Sequence, residues 1–174
     1  SELPSSKRSV ELADKYDFIY ATAGVHPHEA GCVGDELEET LTSLLSHKKA
    51  VALGEIGLDY HYDDGAPRDV QIEVFRRQMD LAYKLGKRVV IHDREAHGDC
   101  MTVVKEYKDK VIGEFHSFSG SYEMATELVK LGWYISFSGT VTFKNANNVA
   151  RSVLAVPDDR IMIETDAPYL APVP

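Results

Sequence analysis

Four metal-ligand side chains stand at the ends of apolar runs that are far apart in the chain: Glu55 after VALG, His92 after RVVI, His116 after KVIGEF and Asp166 after RIMIET. Imidazole nitrogen and carboxylate oxygen are the donors that zinc, manganese, nickel or iron accept, and carboxylates also suit magnesium. A lone carboxylate at the end of a buried strand is strongly disfavoured unless it is paired or binds a cation. The chemistry such a donor set supports is metal-assisted hydrolysis, in which an aspartate such as Asp166 also orients or deprotonates a water.

The elements that position these residues are legible in the hydrophobic pattern. Short Val/Ile-rich runs read as strands buried on both faces, over Phe18–Gly24, Val51–Gly54, Arg88–His92, Val111–Phe115, Trp133–Ser138 and Ile161–Thr165. Helix-period segments lie between them. Ser5 to Tyr16 is the first, and Leu37, Leu41, Leu44 and Leu45 form the stripe of the second. Phe75, Met79, Ala82 and Leu85 follow Pro67 and stop at Gly86. Cys100, Val104 and Tyr107 mark another, Met124, Leu128 and Leu131 the next, and Val149, Val153 and Leu154 the last. Alternating strands and helices predict a parallel sheet covered by helices in one domain, residues 1–174. In a parallel barrel the C-terminal strand ends share one rim, so the four ligands are expected to converge there. The expected fold class is α/β, a TIM-type (β/α)8 barrel. Six strands are fewer than the eight of a closed barrel of about 250 residues, and the expectation is an incomplete barrel lacking its first strands and last helix.

Other residues are placed at the same rim. His26 and His28 in GVHPH have metal-binding spacing, but Pro27 makes regular strand geometry unfavourable there, so they are read as substrate-contacting or supporting residues. Arg94 and, more weakly, His61 join them. The two SFSG turns, at 117–120 and 136–139, offer hydroxyls and amides to an anion such as phosphate, with Ser117 and Ser119 as the contacts. His47 and His97 read as solvated helix-end residues, and Glu164 as a buried structural partner in the strand of Asp166.

With 28 acidic and 19 basic residues the net charge is −9, which argues against a broad electrostatic footprint on nucleic acid and suits a carboxylate-lined cation site. Two cysteines, Cys32 and Cys100, have neither CxxC spacing nor a zinc pattern, so a reducing cytoplasmic compartment is expected. No apolar run of the roughly 18 residues that a membrane span needs is present. The Walker A, Rossmann and GxSxG patterns are also missing from the sequence.

Taken in order, GVHPHE, GEIGLDY, VVIHDREA, FHSFSG and ETDAPYLAP resemble the signature series of the TatD family of metal-dependent deoxyribonucleases, within the amidohydrolase-like barrels. The resemblance runs over the whole chain. It implies a TIM-type barrel with one or two divalent ions (Mg, Mn, Zn or similar), Glu55 as bridging ligand, His92 and His116 on one ion and Asp166 on the other. It also implies Asp166 and Glu55 as catalytic carboxylates and DNA as substrate, cleaved at phosphodiester bonds from a 3′ end. The family's HxH motif on its first strand has no counterpart here, and the expectation is that the chain is part of a longer protein. The competing expectations are a hydrolase of carboxyl esters, lactones or amides on the same barrel, and a non-catalytic remnant.

Overall fold

A computed structural model describes residues 2–173. The chain packs as two compact units, Ser1–Val111 and Ile112–Pro174. The first runs α1 (Leu3–Lys15), β1 (Ala21–Ala23), a 3-10 helix (Pro27–Cys32), α2 (Leu37–Leu45), β2 (Ala50–Asp59), α3 (Arg68–Leu85), β3 (Arg88–Arg94) and α4 (His97–Glu106). Its strands pair in parallel, β1 with β2 and β2 with β3. The second unit runs β4 (Gly113–Phe115), α5 (Tyr122–Lys130), β5 (Tyr134–Phe137), a 3-10 helix (Gly139–Thr142), α6 (Asn147–Val153) and β6 (Ile161–Ile163), with β4–β5 and β5–β6 also parallel.

Both units therefore have the α/β order expected from the alternating periods, and the apolar stripes face inward except at α6, where Leu154 is 81% exposed and Val149 and Val153 are only half-buried. Leu37, Leu41, Phe75 and Met79 pack with Leu53, Ile56 and Ile91 in the buried core of the first unit. In the second, Phe115 meets Trp133 edge to face at 5.5 Å beside Leu128 and Ile135. Helix ends follow local chemistry: α3 stops where Gly86 takes φ 62°, and Ser121 caps α5 by accepting the Met124 N–H.

Strand boundaries shift from expectation by a residue or two in β3, β4, β5 and β6 and by more in β1 and β2. The first strand shrinks to Ala21–Ala23 because Phe18 is 81% exposed and buries nothing. The fourth begins only at Gly113. The strand expected to end at Gly54 continues to Asp59, so Glu55 lies within β2 rather than after it.

That continuation is irregular in one place. Gly54 pairs with Val90 and Ile56 with Ile91, leaving Glu55 as the extra residue of a bulge. Bulges re-aim a side chain out of the regular alternation, and Glu55 is half-buried between buried Gly54 and Ile56. The glycines around it are steric requirements. A Cβ on Gly54 would come within 2.6 Å of the Val90 Cβ, and Gly57, at φ 137°, faces the His92 carbonyl.

Two buried glutamines brace the strand ends of this unit from α3. Gln78 accepts the Val25 N–H at 2.8 Å and donates to the Val25 carbonyl at 3.0 Å. Gln71 does the same for Asp59, both at 2.9 Å, and also donates to the Ala66 carbonyl. Replacing Gln78 with Leu would leave both Val25 backbone groups buried without partners. Urea denaturation is expected to show a loss of about 2–4 kcal/mol, at about 1–3 kcal/mol per unsatisfied group with partial relaxation.

Candidate metal centres

The bulge and the end of β3 bring the first donors together. His92 Nδ1 lies 2.8 Å from Glu55 Oε1, and His92 Nε2 lies 2.9 Å from Asp59 Oδ2. The His26 ring stacks edge-on against His92 at 4.3 Å, with its Nε2 4.0 Å from Glu55 Oε1. His26, Glu55 and His92 each offer a ligand atom within 4.8 Å of the others.

A second group has the same composition. In the second unit His116 Nδ1 is 3.1 Å from Glu164 Oε2 and 3.9 Å from Asp166 Oδ1. Glu164 also accepts the Ser117 N–H through Oε1. His116, Glu164 and Asp166 have ligand atoms within 4.8 Å of one another.

A divalent cation fits this donor set for an electrostatic reason. In the tautomer of neutral His92 that gives its Nε2–H to Asp59, the Nδ1 lone pair is turned on the Glu55 carboxylate. Two electron-rich atoms 2.8 Å apart repel unless a proton or a metal ion lies with them. Asp59 thus stands to His92 as a carboxylate stands to the far nitrogen of a histidine that can hold metal. It is held by its backbone to Gln71 and accepts the His61 N–H through Oδ1. His116 faces two carboxylates, Glu164 and Asp166, through the same ring nitrogen.

The pKa shifts carry the same message. Burial works to lower the pKa of His92, but the hydrogen bonds and charges of Asp59 and Glu55 raise it overall. Burial works to raise that of Asp59, while His92 and the His61 amide hold it below its ordinary value. Glu164 is likewise depressed, its burial outweighed by His116. His26 moves the other way, to about 3, through burial and then the neighbouring His92, so it is neutral at pH 7.

The expected ligands thus fall into two contacts, Glu55 with His92 and His116 with Asp166, each joined by a residue read otherwise from sequence. Glu164 is more than a structural partner, since it supplies a donor beside His116. His26 is at the Glu55–His92 pair, but its Nδ1 accepts the His28 N–H at 3.2 Å. That leaves the proton on Nε2, the nitrogen facing Glu55, and makes His26 a donor in this tautomer. Asp59 had no role in the sequence reading. Its spacing of four from Glu55 along a strand, which repeats every two residues, is the signal that was available.

The rim residues divide. His28 packs edge-on to Tyr62, Arg94 lies over the same ring, and both are near the first group. His61 pairs with Glu95 at 2.7 Å. Ser119 is exposed, whereas Ser117 bonds through Oγ to Ser138 at 2.8 Å. The second SFSG turn does not present hydroxyls as expected, because Ser136 and Ser138 are 1% and 3% exposed. His47 and His97 do lie at helix ends, but each is paired, with Asp14 and Asp93.

Comparison with known proteins now decides the family. The family model described as TatD related DNase matches residues 1–174. The chain belongs to that family. It is 44% identical over 172 residues to the metal-dependent hydrolase YabD of Bacillus subtilis, covering 98% of this chain and 67% of that protein. It is 38% identical over 162 residues to the human 3′-5′ RNA nuclease TATDN2, covering 91% of this chain and 21% of that protein. The crystal structure of the TatD homologue YjjV of Escherichia coli superposes with a TM-score of 0.91 at 31% identity, covering 99% of this chain and 67% of that one. The α/β fold of TIM-barrel type is thus the family's. The chain spans about two thirds of the length of the bacterial relatives it matches. Among the described residues no helix is long and apolar enough to cross a membrane.

A divalent ion held through His92 Nδ1 would compete with the proton there, so metal affinity and pH would be linked. The raised His92 pKa contributes stability to the metal-free protein that is fully present below the unfolded value near 6.5 and lost as pH rises through the folded value. The stability gap between wild type and His92→Gln, measured metal-free in urea, is therefore expected to narrow as pH is raised. Calorimetric Mn2+ affinity of wild type rises over the same range. A gap that widens with pH contradicts this assignment.

Proposed function

We propose that the protein is a divalent-metal-dependent hydrolase that cleaves DNA phosphodiester bonds, releasing nucleotides from a 3′ end. The observation that carries this reading is the pair of histidine–carboxylate groups, each with electron-rich donor atoms crowded together. The family's description as TatD-related DNases and the naming of TATDN2 as a 3′-5′ nuclease support a nucleic-acid substrate.

Glu55 and His92 would hold one ion, and His116 and Asp166, with Glu164, a second. A divalent cation bound by these residues supplies Lewis-acid polarisation of a phosphoryl oxygen and lowers the pKa of water. The chain's own residues do the rest. Asp166 takes a proton from the water whose oxygen bonds to phosphorus as one P–O ester bond breaks, and the departing ester oxygen is protonated from solvent. Neutral His26 donates through Nε2–H to a phosphoryl oxygen. His28, Arg94, Ser117 and Ser119 contact the nucleic-acid backbone. Only Arg94 among them carries a permanent charge, consistent with a chain of net charge −9 whose grip on phosphate is short-range. The free cysteines fit a reducing, cytoplasmic setting.

RNA is a second substrate reading, favoured by the named activity of TATDN2. Incubating 5′-labelled single-stranded DNA and RNA with the protein and Mg2+ or Mn2+, with and without chelator, separates the readings. Chelator-sensitive shortening of DNA from its 3′ end is expected. Shortening of RNA alone reassigns the substrate, and no nucleotide release from either removes the nuclease assignment. Asp166→Asn is expected to lose at least about 100-fold in kcat, the usual scale for an acid–base group, with its circular dichroism unchanged.

A further inference from the structure

One exposed aromatic ring in the first unit is held too firmly to be an incidental surface tyrosine. Tyr62 lies in the segment between β2 and α3 and is 50% exposed. The His28 ring stands against it at 5.8 Å and 86°, and the His61 ring at 4.9 Å and 82°. Arg94 lies over it at 5.1 Å from the centroid and donates to its hydroxyl at 3.1 Å. A ring fixed by three neighbours has already lost its rotational freedom, so a ligand that stacks on it incurs little further ordering cost.

The same neighbours tie the ring to the first metal group. His28 donates its backbone N–H to His26 Nδ1, and His61 donates its own to Asp59, which holds His92. Whatever stacks on Tyr62 therefore lies on a platform built from the residues that support Glu55 and His92. The chemistry around the ring is uneven. Asp63 and Asp64 follow it and are exposed, so an anion is disfavoured on that side. Arg94, exposed on β3, offers a cation at the ring's hydroxyl edge. A flat, uncharged group joined to an anion matches this division, the flat part on the ring and the anion beside Arg94. A nucleobase with its phosphate has that form, and aromatic stacking accepts any base.

We propose that Tyr62 is a nucleobase-stacking subsite, with Arg94 taking the adjoining phosphate, so that an unpaired base of the substrate is held on this ring. This rests on the phosphodiesterase reading above and names how that site would select its substrate. The ring is a specificity residue and takes no part in bond cleavage.

Two measurements separate this subsite from the hydrolysis it would serve. The first is binding of a fluorescein-labelled ten-residue oligothymidylate, followed by anisotropy in Ca2+ so that turnover is suppressed. Tyr62→Ala is expected to weaken binding about ten-fold, the usual scale for one stacked base, and Tyr62→Trp to restore it. A backbone-matched oligonucleotide of abasic residues is expected to bind wild type and Tyr62→Ala alike. Unchanged oligothymidylate binding in Tyr62→Ala overturns the proposal, as does an equal loss on the abasic strand, which would mark Tyr62 as structural. Wild type that fails to bind oligothymidylate overturns it as well. The second measurement is nucleotide release in Mn2+. Binding that depends on Tyr62 without any release leaves the stacking subsite standing and removes only the hydrolase reading.

Discussion

The arrangement depends on a repulsion between a histidine lone pair and a carboxylate that the fold brings together. A neutral imidazole presents one lone pair, and with Asp59 holding the His92 Nε2–H, that lone pair is aimed at the Glu55 carboxylate. Coulomb repulsion at such a distance is large where water is scarce, and only a positive particle removes it. In the metal-free protein that particle is a proton, which is why the His92 pKa lies above its ordinary value despite burial. His116 likewise turns one ring nitrogen on two carboxylates, Glu164 and Asp166. The surrounding structure keeps the donors from swinging apart, because Gln71 holds Asp59 by its backbone and the β2 bulge fixes Glu55. A donor set that cannot relax is preorganised for a cation.

Holding Glu55 in place explains the sequence around it. In a strand that is mostly buried a glutamate has little solvent to turn to, and regular alternation would send successive side chains to opposite sides of β2. The extra residue at Glu55 breaks that alternation locally, and Gly54 and Gly57 allow neighbouring strands to come close where the strand departs from ideal pairing. Both glycines of GEIG are therefore consequences of aiming one carboxylate. Asp59, four residues on, then reaches the far nitrogen of the same imidazole that Glu55 meets. One strand thus supplies both the group that competes for a cation and the group that orients its partner.

Much of this could be read from the sequence, because burial and periodicity are local signals. The Val/Ile runs located most of the strand segments, and the leucine and methionine stripes located most of the helices, with Gly86 marking an end. Glu55, His92, His116 and Asp166 were visible as donors because each interrupts or closes an apolar run. Side-chain direction was harder to read. Pro27 does break the strand at GVHPH, but the 3-10 helix it starts swings His26 back towards Glu55, and hydropathy does not report a turn's direction. Glu164 looks like a core residue until its two oxygens are seen divided between His116 and the Ser117 amide. The SFSG turns share one sequence and differ in burial, since the second turns both hydroxyls inward.

Net charge and local charge pull in different directions in this protein, and the local term decides what can bind. An excess of acids repels a polyanion over distances up to about the Debye length, near 8 Å at physiological ionic strength. Within a few ångströms, however, carboxylates that would repel phosphate instead hold cations that attract it, so the same residues change the sign of their effect once a metal is bound. A protein built this way has little to gain from a basic surface. On the proposed reading its affinity for nucleic acid would come from a few short contacts and from uncharged ones such as stacking, which salt does not screen.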